Sequence, residues 1–138
     1  LNKRLKFLQN VIDELGLTGI ECVHGRAEDL GKNKAYREQF EVCASRAVAN
    51  LAVLSEYTLP FVKTGGYLIA LKGQKLDEEL AEGEKAITIL GGTIDKLVDV
   101  VVPYTDLNHR IAKIKKVKET PKKYPRKAGE PTKAPLGK

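Results

Sequence analysis

No methionine occurs anywhere in the 138 residues, and histidine and cysteine occur only twice each. The missing methionine, with a chain that opens on Leu1 almost directly in a helical pattern, points to a processed or truncated polypeptide. His24 and His109 lie far apart, and a lone histidine is more often a hydrogen-bonded structural residue than a ligand. No His/Cys cluster has metal-site spacing, so no metal is expected. Cys22 and Cys43 are isolated in apolar, strand-like stretches and read as two buried free thiols of a reducing compartment. No apolar run approaches the length of a bilayer span, and no signal peptide opens the chain. A cytoplasmic protein without a membrane partner is the expectation, and no nucleophile–base–acid set is present.

What is there fits one α/β domain: 42% hydrophobic and 30% charged residues, in a length that supports one core. Leu5, Leu8, Ile12 and Leu15 recur at helical spacing, with Gly16 placed for a left-handed cap. Ile20–His24 alternates and predicts a strand; Arg26–Gln39 predicts a loop with one helical turn. Phe40–Ser45 predicts a buried strand, and Asn50–Thr58 a helix that Pro60 ends. Gly65-Gly66 predicts a turn into the strand Tyr67–Leu71. Asp77, Glu78 and Glu79 open a helix that buries Leu76, Leu80, Ile87 and Leu90, and Gly91-Gly92 stops it. Leu97–Val102 predicts a strand; Ile111, Ile114 and Val117 also fit a helical period, but the position of Ile111–Val117 at the end of an α/β domain favours a strand of the layered sheet.

Charge is segregated. Lys113–Lys138 carries ten Lys/Arg against Glu119 and Glu130, whereas the preceding 112 residues carry 14 basic and 16 acidic side chains. Pro121, Pro125, Pro131 and Pro135 forbid a continuous helix, so a stiff, extended cationic arm is expected. Such an arm suits a phosphate backbone, because each contact releases condensed counterions. A solvated charge run is the plainer alternative, weighed against the interleaved Tyr124 and the prolines.

Three segments fall at the C-terminal ends of predicted parallel strands, where open α/β sheets bind ligands: Arg26-Ala27-Glu28-Asp29, Ser45-Arg46-Ala47 and Lys72-Gly73-Gln74. A carboxylate there can accept from an amine or hydroxyl, and Arg46 can hold a carboxylate bidentately. A surface ion pair between loops is the plainer reading.

Taken in order, RAED, FEVCASRAVANL, GGYLIALKGQ and TPKKYPRKAGEPTKAPL resemble the RsmG (formerly GidB) family of bacterial 16S rRNA guanine-N7 methyltransferases, over essentially the whole chain. The resemblance implies a Rossmann-like methyltransferase sheet, S-adenosyl-L-methionine as methyl donor, and a guanine in the 530 loop of 16S rRNA, naked or in the small ribosomal subunit, as acceptor. It places the adenosyl contact on Ala27 and Glu28 and another cofactor contact on Arg46. Lys72 is expected to face substrate phosphate or base, and Lys122, Lys123, Arg126 and Lys127 to meet RNA. Residues 1–117 would be the C-terminal portion of the methyltransferase domain and 118–138 a basic, proline-rich tail. The family's glycine-rich loop and ribose-binding acid would precede Leu1, so the sheet is expected to lack its first two strands. The piece alone is expected to be inactive and to associate through unpaired edges. Two other classes stay open: a noncatalytic RNA- or ribosome-binding module working through the tail, and an α/β enzyme using a different nucleotide cofactor.

Overall fold

The computed structural model describes residues 2–46, 49–73, 75–105 and 108–137. Leu1, Ala47, Gln74 and Lys138 therefore lie outside the described residues, which removes one residue each from two of the expected rim segments. Helix α1 (Asn2–Leu15) ends at Gly16, whose φ of 63° is the expected left-handed stop. Of its apolar stripe Ile12 is buried, while Leu8 and Leu15 stand exposed.

The expected strand at Ile20–His24 does not form. A strand exists only by pairing, and these residues pair with no described strand: Gly19, Glu21 and Val23 instead line, together with residues of strand β1 (Phe40–Arg46), a groove of about 570 Å³. Helix α2 (Ala27–Leu30) is the single turn expected in the following loop. Strand β1 corrects a second expectation, because it is not buried. Phe40 is 43% and Val42 57% exposed, since the strand pairs on one side only, parallel to β2 (Val62–Lys72).

The sheet order is β1-β2-β4-β3, with β3 (Gly92–Val101) and β4 (Asn108–Lys116) antiparallel to each other and β4 antiparallel to β2. Gly65-Gly66 is not the turn expected ahead of β2. The strand runs through it, and the pairing jumps from Phe40↔Val62 to Val42↔Tyr67. Gly65 takes φ 91°, and a Cβ on Gly66 would lie 2.4 Å from the Glu41 carbonyl oxygen, so the bulge needs both glycines.

Helices α3 (Leu51–Thr58) and α4 (Leu76–Ile89) cover one face of the sheet. The Asn50 side chain caps α3 by accepting from Val53 N at 3.0 Å. Leu51, Leu54, Leu68, Ala70, Leu76, Ile87, Leu90, Ala112 and Ile114 form the core between helices and sheet. Helix α4 meets α3 at Gly83, where a Cβ would fall 2.6 Å from Leu51 Cδ2. After α4, Gly91 adopts φ 96° and lets β3 begin at Gly92, earlier than the expected Leu97.

Under this core the Lys116 side chain is wholly buried. Its ammonium donates to Leu59 O and Val62 O, each at 2.7 Å, and pairs with Glu38 Oε2 at 3.1 Å. Three donors thus meet three acceptors. Burial pushes Lys116 below the usual lysine range, with Glu38 pulling the other way. Between its folded and unfolded values the unfolded chain binds more protons, so this group makes stability rise with pH across that alkaline window. Lys116→Met should abolish that increment in urea titrations at stepped pH. Glu38→Gln leaves the buried ammonium without its counter-charge and should lower the unfolding free energy by about 3–5 kcal/mol. A variant as stable as the parent would mean that the two carbonyls alone suffice.

Candidate functional site

The parallel pair β1–β2 places Arg46 beside Leu71, one residue before Lys72. Two of the expected site residues therefore share the rim at the C-terminal ends of these strands. Their surroundings differ sharply. Lys72 is only 7% exposed, donates to Ala49 O at 2.5 Å and pairs with Glu79 Oε1 at 3.1 Å. That same carboxylate oxygen accepts from Leu51 N at 2.8 Å, so Glu79 satisfies the first turn of α3 and neutralises Lys72 together. Lys72 is thus bound inward and does not stand free for a phosphate, as a rim lysine was expected to. Glu79 was legible only as an acid in a first helical turn; its position against Lys72 is a product of tertiary packing.

Arg110, opposite Lys72 in the β2–β4 register, is likewise taken by carboxylates, those of Asp77 and Asp99. Arg46 is the exception: exposed, with no hydrogen bond or ion pair from its side chain to any other described residue. A free guanidinium at the end of a parallel strand is suited to an oxyanion or another acceptor of a bound ligand.

Ala27 and Glu28 open α2, and neither backbone N–H has a partner among the described residues. Glu28 is buried, and its Oε2 accepts from Gly129 N at 3.2 Å. No described contact joins this pair to Arg46. Leu30 of α2 and Val42, Cys43 and Ala44 of β1 line the groove already mentioned. Cys43 and Cys22 are free thiols, half-buried and not the fully buried pair expected, and burial raises the Cys43 thiol. No cluster of His, Cys, Asp and Glu suited to a metal occurs among the described residues.

Residues 118–137 do not project as an extended arm. They lie against the helices as a strap, held by three carboxylates and one guanidinium. Glu56 of α3, fully buried, accepts from Arg126 N at 2.8 Å and Nε at 3.0 Å through Oε2, and from Nη2 at 2.7 Å through Oε1. Arg126 Nη2 also donates to Ala134 O. This bidentate pair raises the Arg126 pKa, and it makes Arg126 an anchor of the strap, no longer one of its free cations. Glu38 Oε2 accepts from Thr120 N, and Glu28 from Gly129 N. Arg37 donates four bonds: to Gly31 O, Tyr124 O, Thr120 O and Pro121 O. Tyr124 is buried in the core cluster, and the strap continues through helix α5 (Glu130–Lys133) to Gly137 on α4. Lys122, Lys123 and Lys127 remain exposed. Arg37 and Glu56 carry no sequence signal for this role.

A family model described as rRNA small subunit methyltransferase G (GidB) matches residues 1–106. The chain is 54% identical over 136 residues to ribosomal RNA small subunit methyltransferase G of Lactobacillus acidophilus and 53% identical to that of Clostridium tetani, covering 99% of this chain and 57% of each relative. It therefore spans little more than half the length of the curated relatives it matches. Two solved structures share the fold at low identity. One, from work on conversion of a disulfide bond into a thioacetal group during echinomycin biosynthesis, gives a TM-score of 0.56 at 14% identity over 82% of this chain and 62% of that one. The other, of an MtNAS mutant, gives 0.57 at 17% over 86% and 42%. The α/β sheet with its parallel β1–β2 pair agrees with the Rossmann-like methyltransferase class expected from sequence.

Arg126→Ala would leave the buried Glu56 carboxylate without its guanidinium. It should lower the unfolding free energy by about 3–5 kcal/mol, with hydrogen exchange accelerating first in the strap amides. Unchanged strap protection would mean that Arg37 and Tyr124 alone hold it.

Proposed function

We propose that this chain, which belongs to the rRNA small subunit methyltransferase G family, is part of a cytoplasmic enzyme that methylates N7 of a guanine in the 530 loop of 16S rRNA, using S-adenosyl-L-methionine. Family membership carries the reading, and the rim residues support it. Residues 1–117 then form the C-terminal portion of the methyltransferase domain and 118–138 its basic, proline-rich tail, of which 118–137 are the strap described above. Naked 16S rRNA or the small ribosomal subunit is the partner. No helix among the described residues is long and apolar enough to cross a membrane.

The residues present fit such a cofactor. Arg46 at a strand end and the backbone N–H groups of Ala27 and Glu28 have no partner among the described residues. Glu28 keeps Oε1 without a partner among the described residues, although Oε2 is held by Gly129. In this assignment Ala27 and Glu28 hold the adenosyl part, and Arg46 holds an acceptor of the same molecule. When bound, S-adenosyl-L-methionine supplies a methyl group already activated on a sulfonium.

Guanine N7 carries a free lone pair, so no residue has to remove a proton. The protein's share of the work is to orient the base and exclude water, effects that together reach roughly 7–11 kcal/mol. A rim whose described residues include no acid–base set is therefore compatible with the reaction. Lys72 serves it by fixing the rim between β2, α3 and α4, and Lys122, Lys123 and Lys127 supply contacts to RNA phosphate.

In the full-length enzyme, Arg46→Ala should weaken S-adenosyl-L-methionine binding by about 1.5–3 kcal/mol in calorimetry, the worth of a charged hydrogen bond. Glu28→Gln should weaken it less. Wild-type affinity in a folded Arg46→Ala protein would remove Arg46 from the site.

A further inference from the structure

The strap and the loop after α2 are distant in sequence, yet one side chain binds them together. Arg37 reaches Gly31 O at 3.0 Å on its own loop, and Tyr124 O at 2.7 Å, Thr120 O at 2.9 Å and Pro121 O at 3.1 Å on the strap. Gly31 lies so close to Pro125 that a Cβ there would come within 3.0 Å of its Cγ. The next residue after Gly31 is Lys32, with Lys34 two further on, both exposed. The residues after Pro121 are Lys122 and Lys123, and Lys127 follows two residues past Pro125; all three are exposed.

These five ammonium groups share a second property: none pairs with a carboxylate among the described residues. Three acids that hold the loop and the strap are already engaged. Glu38 serves Lys116 and Thr120 N, Glu56 serves Arg126, and Glu28 serves Gly129 N. Of the same stretches Asp29, Glu119 and Glu130 also keep carboxylates without an ion pair among the described residues, as does the buried Glu28. Lys123 leans over the Tyr124 ring at 5.4 Å, which holds the ammonium near the surface without neutralising it.

We propose that Lys32 and Lys34 join Lys122, Lys123 and Lys127 in one composite phosphate-binding surface for the RNA backbone, assembled by Arg37. The proposal rests on the rRNA methyltransferase reading and extends the RNA contact from the strap to a second segment. Because α2 ends at Leu30, the surface begins two residues from the helix that carries Ala27 and Glu28. RNA bound there lies beside the cofactor-binding rim. Arg37 acts as a positioning residue, since its own donors are spent on carbonyls.

The test compares three variants of the full-length protein: Lys32→Ala with Lys34→Ala, the strap set Lys122→Ala with Lys123→Ala and Lys127→Ala, and all five together. Binding to a 16S rRNA fragment containing the 530 loop is titrated over a range of salt concentrations. Phosphatidylglycerol vesicles serve as the other polyanion, and methylation of the fragment by the parent enzyme is followed separately. Each lysine removed should flatten the log–log salt slope by about 0.7–0.9, so the loop pair loses about 1.5 units, the strap set about 2.5, and the five together the combined amount. A loop pair with the parental slope, beside a flattened strap set, overturns the composite surface and leaves the functional reading intact. Parental slopes in every variant overturn it as well. Equal or tighter binding to vesicles than to RNA, lost through the same lysines, replaces RNA by a lipid surface. Flattened slopes without methylation by the parent enzyme keep the surface and overturn the methyltransferase reading.

Discussion

Lys116 brings a positive charge to a place where water does not reach, and the chain is arranged around keeping it satisfied. Its three acceptors come from the Leu59–Phe61 turn, the first residue of β2 and the loop before β1. An unpaired ammonium at such depth would be worth several kcal/mol against folding, so the three segments are fixed to β4 together or not at all. Glu38 then transmits the arrangement outward, because the same oxygen that faces Lys116 accepts from Thr120 N at the root of the strap. Glu38 itself sits at φ 52°, an unusual conformation that its bonds to Pro60 O, Lys116 and Thr120 hold in place.

The same economy recurs with carboxylates. Glu79, Glu56, Glu28 and Glu38 each face inward to a backbone N–H, and three of them also meet a cation. Three cations, Lys72, Lys116 and Arg126, go inward with them, so these pairs leave the balance of surface charge nearly unchanged and fix its distribution instead. These acids serve the architecture, whereas Arg46, Lys122, Lys123 and Lys127 stay exposed without an ion pair among the described residues.

Much of this fold could be read from local signals, and the exceptions share a cause. The Asn50 cap, Gly16 at the end of α1, and the acids opening α4 are written within a few residues of the features they specify. Ile20–His24 has the pattern of a strand and lacks the neighbour that would make it one. Phe40–Arg46 is a strand whose apolar side chains stay open because only β2 borders it. Gly65-Gly66 reads locally as a turn, whereas the approach of Glu41 turns it into a bulge. The site followed the same rule. Arg46 stood where strand order placed it, but Lys72 could be recognised as internally bound only once Glu79 and Ala49 were seen beside it. The cationic tail was legible as charge and proline, and its docking was not, because Arg37 and Glu56 meet it across 70 to 87 residues of chain.

That separation has a consequence for the entropic cost of closing the molecule's contacts. The antiparallel β3–β4 pair closes a short loop, and β1 joins β2 through one helix, so both form at modest entropic expense. The Gly129–Glu28 bond, by contrast, joins residues 101 apart in sequence. By loop length the strap makes the most expensive closure of the contacts described, and its lysines keep their place beside Lys32 and Lys34 only while these long-range bonds are made.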